Sequence, residues 1–147
     1  MKVAFFRHAP STFNTRGDLS PNVPITEDGK NVAKAMRGHV DLVICSTLRR
    51  ARETLDHSNL TYKRVIFTDL CREILDGNTS NLYNREDNIV ETEEDVNNRI
   101  LKFRDFILSQ PEISLDYANV AVISHGVFLH KMTGHGYANC QCHILEV

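Results

Sequence analysis

The sequence predicts an α/β fold, a three-layer α/β/α sandwich around a mostly parallel central sheet, on three observations. Short runs rich in Val, Ile and Phe, each nearly continuous in hydrophobicity, recur along the 147 residues. Segments with helical spacing stand between them, and the alternation repeats as strand, helix, strand, helix. Near-continuous apolar runs suit strands covered on both faces, and helical crossovers between successive strands make those strands parallel.

The elements follow in order. "VAFF" (3–6), "DLVIC" (41–45), "RVIF" (64–67) and "NVAVIS" (119–124) read as strands buried on both faces. "TEDGKNVAKAMRGH" (26–39) opens with Thr26 and acidic residues behind it, the signal of a capped helix, and "LRRARETLDH" (48–57) is dense in strong helix formers. A longer helix is predicted over 92–110, where Val96, Ile100, Phe103 and Ile107 keep one stripe, Thr92 caps the start, and Pro111 stops it. "CHILEV" (142–147) reads as a last strand at an edge of the sheet, and the polar stretch 76–88 as a long loop or lid.

Composition limits the function classes. With 41% hydrophobic and 24% charged residues, the chain reads as a single domain, 1–147, with one core. A net charge of −2 offers no overall field for nucleic acid, so any attraction for anions must be local. No run approaches the ~20 apolar residues of a membrane span, and "MKVAFFRHAP" is charged too early for a signal peptide, so the expected address is cytoplasmic, away from membranes. Cysteines at 45, 71, 140 and 142 are too scattered for a disulfide scaffold and read as reduced thiols. No sequence feature specifies an oligomeric state.

Open α/β sheets bind ligands beyond the carboxyl ends of their strands. Arg7 and His8 end the first strand, Ser124-His125-Gly126 ends another, and "CSTLRRARET" (45–54) leads from a third into a helix rich in arginine. Two histidines, arginines and a helix start converging there describe a pocket for a dianion such as phosphate.

These residues carry a family resemblance. "RHAPSTFN" (7–14) resembles the Arg-His-Gly-x-Ser/Thr-x-x-Asn signature of the histidine phosphatase superfamily, the phosphoglycerate mutase-like proteins. The agreement continues in family order through "GDLSPNVPITEDG" (17–29), "CSTLRRARET", "LCREILDG" (70–77), "VISHGVFLH" (122–130) and the closing Asn and last strand of "ANCQCHILEV" (138–147). The resemblance implies that His8 is the nucleophile, forming a phosphohistidine. It implies that Arg7 and Arg50 clamp the phosphoryl oxygens, where a planar fork gives bidentate contacts lysine cannot. His125 matches the second histidine on the same oxygens, Asn14 a phosphate-pocket amide, and Glu73 the general acid, which needs a raised pKa to keep its proton for the leaving oxygen. The activity implied is a phosphomonoesterase that needs no metal or cofactor, acting on a phosphorylated small molecule or a phosphoprotein. A phosphoglycerate-type phosphomutase and a catalytically silent phospho-ligand module are the alternatives.

Two departures bear on this. Ala9 stands where the family has glycine, and its Cβ is the smallest possible intrusion. Gly126, not Asp, follows His125, which disfavours the acid-phosphatase branch. Elsewhere plainer readings hold. Arg49, Arg52 and Glu53 read as a solvated helix face with one ion pair, and His130, His135 and His143 as structural or exposed. "CQCH" (140–143) lacks the second cysteine pair of a zinc site and reads as edge-strand alternation.

Overall fold

The computed structural model describes residues 1–20, 22–75 and 90–147. The stretch 76–88, read from sequence as a loop or lid, lies outside the described residues.

Among the described residues five strands form one sheet: β1 (Lys2–Arg7), β2 (Arg37–Ser46), β3 (Asn59–Thr68), β4 (Val120–Ser124) and β5 (Cys142–Glu146). Their spatial order is β3-β2-β4-β1-β5. β1 with β4, β2 with β4 and β2 with β3 run parallel, and only β5 lies antiparallel, against β1. The helices are α1 (Thr12–Arg16), α2 (Glu27–Ala33), α3 (Arg49–His57), α4 (Glu93–Leu108) and α5 (Gly126–Thr133), with a 3₁₀ turn at Asp69–Cys71.

The continuous apolar runs split between two faces, because side chains alternate along a strand. Val3, Phe5, Leu42, Ile44, Val120 and Val122 meet Val96, Ile100, Phe103 and Ile107 of α4, with Phe128, Leu129 and Met132 of α5. Ala4, Phe6, Val43, Cys45, Ala121 and Ile123 meet Ala51 and Leu55 of α3 on the other face. Each large apolar side chain removed fully from water contributes about 1.5–3 kcal/mol, so the α4 stripe read from sequence is a main support of the fold. Thr92 and Asp95 close a capping box at the start of α4, as the sequence indicated.

Three sequence expectations change. The helix expected over 26–39 ends at Ala33, and 37–39 belong to β2. Gly38, at φ +130°, cannot sit in a helix, and the pairing of Arg37 through His39 with Asn59 through Thr61 fixes the segment as strand. The run 64–67 is not buried on both faces: among the described residues β3 is an edge strand with only β2 beside it, and Tyr62 is 40% and Phe67 47% exposed. Two further helices, α1 and α5, carry no long periodic stripe. They are only 5 and 8 residues long, each ended by a left-handed glycine, Gly17 and Gly134.

Candidate active site

The strand order decides which side chains meet. Because β4 is inserted between β1 and β2, with Arg7 in register with Ser124, the residues following those two strands emerge side by side. They are His8 and His125, whose ring centroids are 5.1 Å apart. The amide of His8 donates to the Ser124 carbonyl at 3.0 Å, extending the ladder one residue past β1. On the other side of β4, β2 ends at Ser46, whose Oγ lies 2.8 Å from His125 Nε2.

His8 Nδ1 lies 2.7 Å from the carbonyl oxygen of Ala9. A carbonyl only accepts, so Nδ1 carries the hydrogen and the lone pair is left on Nε2. Burial first, then the charge of Arg50, pulls the His8 pKa well below the ordinary imidazole value. The Ala9 bond opposes this and Arg7 reinforces it. His125, fully buried, is pulled well down in the same way, by burial and then by Arg50, with smaller contributions from His8, Arg99 and Arg7. The pair is therefore neutral at neutral pH, and His8 is an unprotonated base among cations.

Arg7 donates through Nη1 to the Tyr137 carbonyl at 2.8 Å. Arg50, the second residue of α3, is 3% exposed. Thr54, one turn along α3, donates to the Arg50 carbonyl at 2.7 Å and accepts the amide of Ala9 at 2.8 Å, which ties the helix carrying Arg50 to the loop that follows His8. Beside the two histidines opens a pocket of about 330 Å³, lined among others by Arg7, His8, Asn14, Arg50, Glu73 and Gly126. Arg7 Nε and His125 Nδ1 are both buried with no hydrogen-bond partner among the described residues. Such groups cost about 1–3 kcal/mol each when left unmade, and of the two only Arg7 lines the pocket, where an anion could meet its Nε.

The family model described as histidine phosphatase superfamily (branch 1) matches residues 3–88. The chain belongs to that family. A comparison with curated protein sequences finds no match. Among solved structures, the chain resembles a mycobacterial glucosyl-3-phosphoglycerate phosphatase in complex with VO3, at 16% identity and TM-score 0.70 over 99% of this chain and 90% of the other. It also resembles the Rv3214 product of Mycobacterium tuberculosis (19% identity, TM-score 0.69, 97% and 89% covered). The protein histidine phosphatase SixA in complex with tungstate is a third (16% identity, TM-score 0.54, 100% and 88% covered). These likenesses are of fold: phosphoglycerate mutase-like histidine phosphatases share the α/β sheet described above.

In this member of the superfamily the remaining motif residues have distinct places. Glu73 follows the 3₁₀ turn and caps α5: Oε1 accepts the amides of Phe128 at 2.8 Å and Ile74 at 3.0 Å, and Oε2 that of Val127 at 3.2 Å. Burial pushes its pKa up, against those three amides and Arg50, and burial prevails. Asn14 is exposed on the pocket rim, its Oδ1 engaged by Ser11 N, Ser11 Oγ and Asn139 Nδ2, so its own amide hydrogens are what it offers a ligand. His125, by contrast, does not line the pocket but lies buried behind His8, packed against its ring.

Ala9 is fully buried, has no positive φ, and packs with Ile25 and Ala33, which is why a Cβ fits where the family has glycine. Asn139, the closing Asn of the family resemblance, donates to the His8 carbonyl at 3.0 Å, a role the sequence did not assign it, and Ser46 was not read as the partner of His125. Sequence reasoning also set His130 aside, yet that residue lines the pocket from α5, one turn after Gly126. Helical spacing from the second-histidine motif was the available signal. Arg49 and Glu53 form the expected i,i+4 pair at 3.3 Å. In the "CQCH" segment, the His143 ring stacks on His135 and meets Tyr137 edge-on. Among the described residues no three His, Cys, Asp or Glu side chains converge as metal ligands.

Proposed function

We propose that the protein is a phosphomonoesterase that works without a metal, through a phosphohistidine on His8, on a small phosphorylated metabolite or a phosphoprotein. The observation that carries this reading is the 2.7 Å contact from His8 Nδ1 to the Ala9 carbonyl, because it fixes the tautomer whose Nε2 lone pair can attack phosphorus. The neighbours' complexes with VO3 and tungstate, both oxyanions, accord with an anion pocket in this fold.

In the reading proposed, the phosphoryl oxygens sit between Arg7 and Arg50, with the unpartnered Nε of Arg7 as one donor. Ser46 Oγ accepts the Leu48 amide at 3.3 Å and lies 2.8 Å from His125 Nε2, which holds the second histidine against the ring of His8. His8 Nε2 attacks; the N–P bond forms as the ester P–O bond breaks. The electron pair leaves on oxygen, and Glu73 gives that oxygen its proton. Oε2, with one long contact against two at Oε1, is the oxygen with room to hold it. Water then attacks phosphorus and surrenders a proton to Glu73, the N–P pair returns to Nε2, and inorganic phosphate departs. The fixed cations and dipoles supply most of what phosphoryl transfer requires.

The test is chemical trapping. Incubation with a phosphomonoester and alkaline quenching should leave acid-labile phosphate on His8, absent in His8→Ala. Acid-stable phosphate on Ser11 or Thr12 would overturn the assignment.

A further inference from the structure

Behind Glu73 lies a buried ion pair that none of the proposed steps uses. Arg99 projects from α4 and is 7% exposed. Its Nε and Nη2 bind Glu91 side by side, at 2.9 Å to Oε2 and 2.8 Å to Oε1. The remaining nitrogen, Nη1, donates to two backbone carbonyls, Leu70 at 3.0 Å and Arg72 at 2.8 Å. Glu91 completes the frame: its Oε1 accepts the Leu75 amide at 3.1 Å, and its own amide donates to the Leu75 carbonyl at 2.8 Å. The backbone is thus gripped at Leu70 and Arg72 before Glu73 and at Leu75 after it. The same guanidinium lies 4.7 Å over the ring of Phe128, whose amide is the shortest donor to Glu73.

A buried ion pair is a poor way to stabilise a core, since apolar groups of equal volume do as well or better. What it supplies is direction. A guanidinium fork held by one carboxylate can face carbonyls at fixed angles, and here those carbonyls flank the candidate acid. We infer that Arg99 and Glu91 are positioning residues for Glu73: they fix the backbone of 70–75 so that its carboxyl group stays at the start of α5 and at the wall of the pocket. The inference rests on the reading of Glu73 as the proton donor.

The test uses Arg99→Lys, which keeps the charge but loses the fork, and Glu91→Gln, which keeps an acceptor for Leu75 but loses the charge. A misplaced acid hurts an ester whose leaving group needs a proton and spares one whose leaving group does not. Each variant should lower kcat for an alkyl phosphate ~10- to 100-fold, with a much smaller loss on nitrophenyl phosphate. In a Glu73→Gln background, Arg99→Lys should cost the alkyl phosphate almost nothing further, because the misplaced group is already disabled. Equal slowing of both esters, or a full additional loss in the double variant, would mean that the pair only supports the fold and would overturn the inference. Glu91→Gln carries the same comparison should Arg99→Lys not fold. If Glu73→Gln itself slows both esters alike, the proton-donor reading falls and this inference with it. If Glu73→Gln is selective and the Arg99 and Glu91 variants are not, only the inference falls.

Discussion

Gly126 lies flat against the guanidinium of Arg7: a Cβ at that position would stand 3.0 Å from Arg7 Nε and 3.1 Å from Cζ. The residue after the second histidine is therefore small because the first motif's arginine crosses in front of it. This contact joins the ends of β1 and β4 at the wall of the pocket.

Gly126→Ala should separate activity from stability. Position 126 opens α5, where alanine is favoured over glycine by up to about 1 kcal/mol, so thermal stability should hold or rise slightly. The guanidinium must shift by a few tenths of an ångström, and activity should fall ~10-fold or more, since positioning supplies much of the rate. Unchanged activity would show that Arg7 has no exacting placement.

Glu73 should respond differently to two substitutions. Glu73→Gln retains an oxygen for the Phe128 and Ile74 amides but removes the proton, so alkyl phosphates should slow by roughly 10²- to 10⁴-fold and nitrophenyl phosphate much less. Burial raises the Glu73 pKa, so wild-type activity should decline as pH rises through that raised value, and the Gln variant should lack this limb. Glu73→Ala removes the cap of α5 as well and should cost about 1 kcal/mol of stability, read by denaturant titration. A Gln variant with wild-type rates on both esters would move the proton donor elsewhere.

Much of this site is legible in the sequence because strand ends are. An apolar run stopping at Arg7-His8 and another stopping at Ser124-His125 mark the carboxyl edge of a sheet, and chain order with the motif spacing is enough to bring them together. What stays hidden is non-local. Nothing near Arg37 shows that 37–39 will pair with 59–61, and local helix propensity there loses to sheet pairing. Nothing near Arg99 shows that its side chain will reach the carbonyls of Leu70 and Arg72, 29 and 27 residues earlier. Edge position is hidden too: "RVIF" has a buried strand's composition, and only the strand order places it at the margin.

Gly29 tests a close approach that supports the loop after His8 from outside the pocket. A Cβ on Gly29 would come within 2.4 Å of the Pro10 carbonyl oxygen, two residues after His8, where the Thr26 amide also donates at 3.0 Å. Backbone cannot yield as a side chain can, so Gly29→Ala should destabilise the fold by about 1–3 kcal/mol despite its better helix propensity. A rise in melting temperature would show that the loop after β1 moves freely.

The two buried histidines set the last expectation, a stability that falls in mildly acidic solution. His8 and His125 both have folded-state pKa values well below the ordinary imidazole value, chiefly through burial and the nearby Arg50 charge. As pH falls below about 6.5, the unfolded chain binds a proton at each while the folded protein does not, so the equilibrium shifts toward unfolding. While that difference lasts, each histidine removes about 1.4 kcal/mol of stability per pH unit, and the two together about twice that. Carboxylates held low in the fold, such as Asp41 and Glu91, lose their contribution only nearer pH 4, and the Glu73 carboxyl, pushed up by burial, takes a proton in the fold and offsets at most one of the two histidines, so imidazole sets the sign between pH 6.5 and 5. Denaturant titrations at pH 7, 6 and 5 should therefore show a steep loss of unfolding free energy, and His8→Gln should show a shallower one. The same depressed pKa keeps His8 Nε2 unprotonated below pH 6.5, so the acid limb of kcat/KM should lie below the point at which stability begins to fall. A stability independent of pH across that window would mean that the histidines are charged in the fold, and an attack by His8 Nε2 would then lose its lone pair.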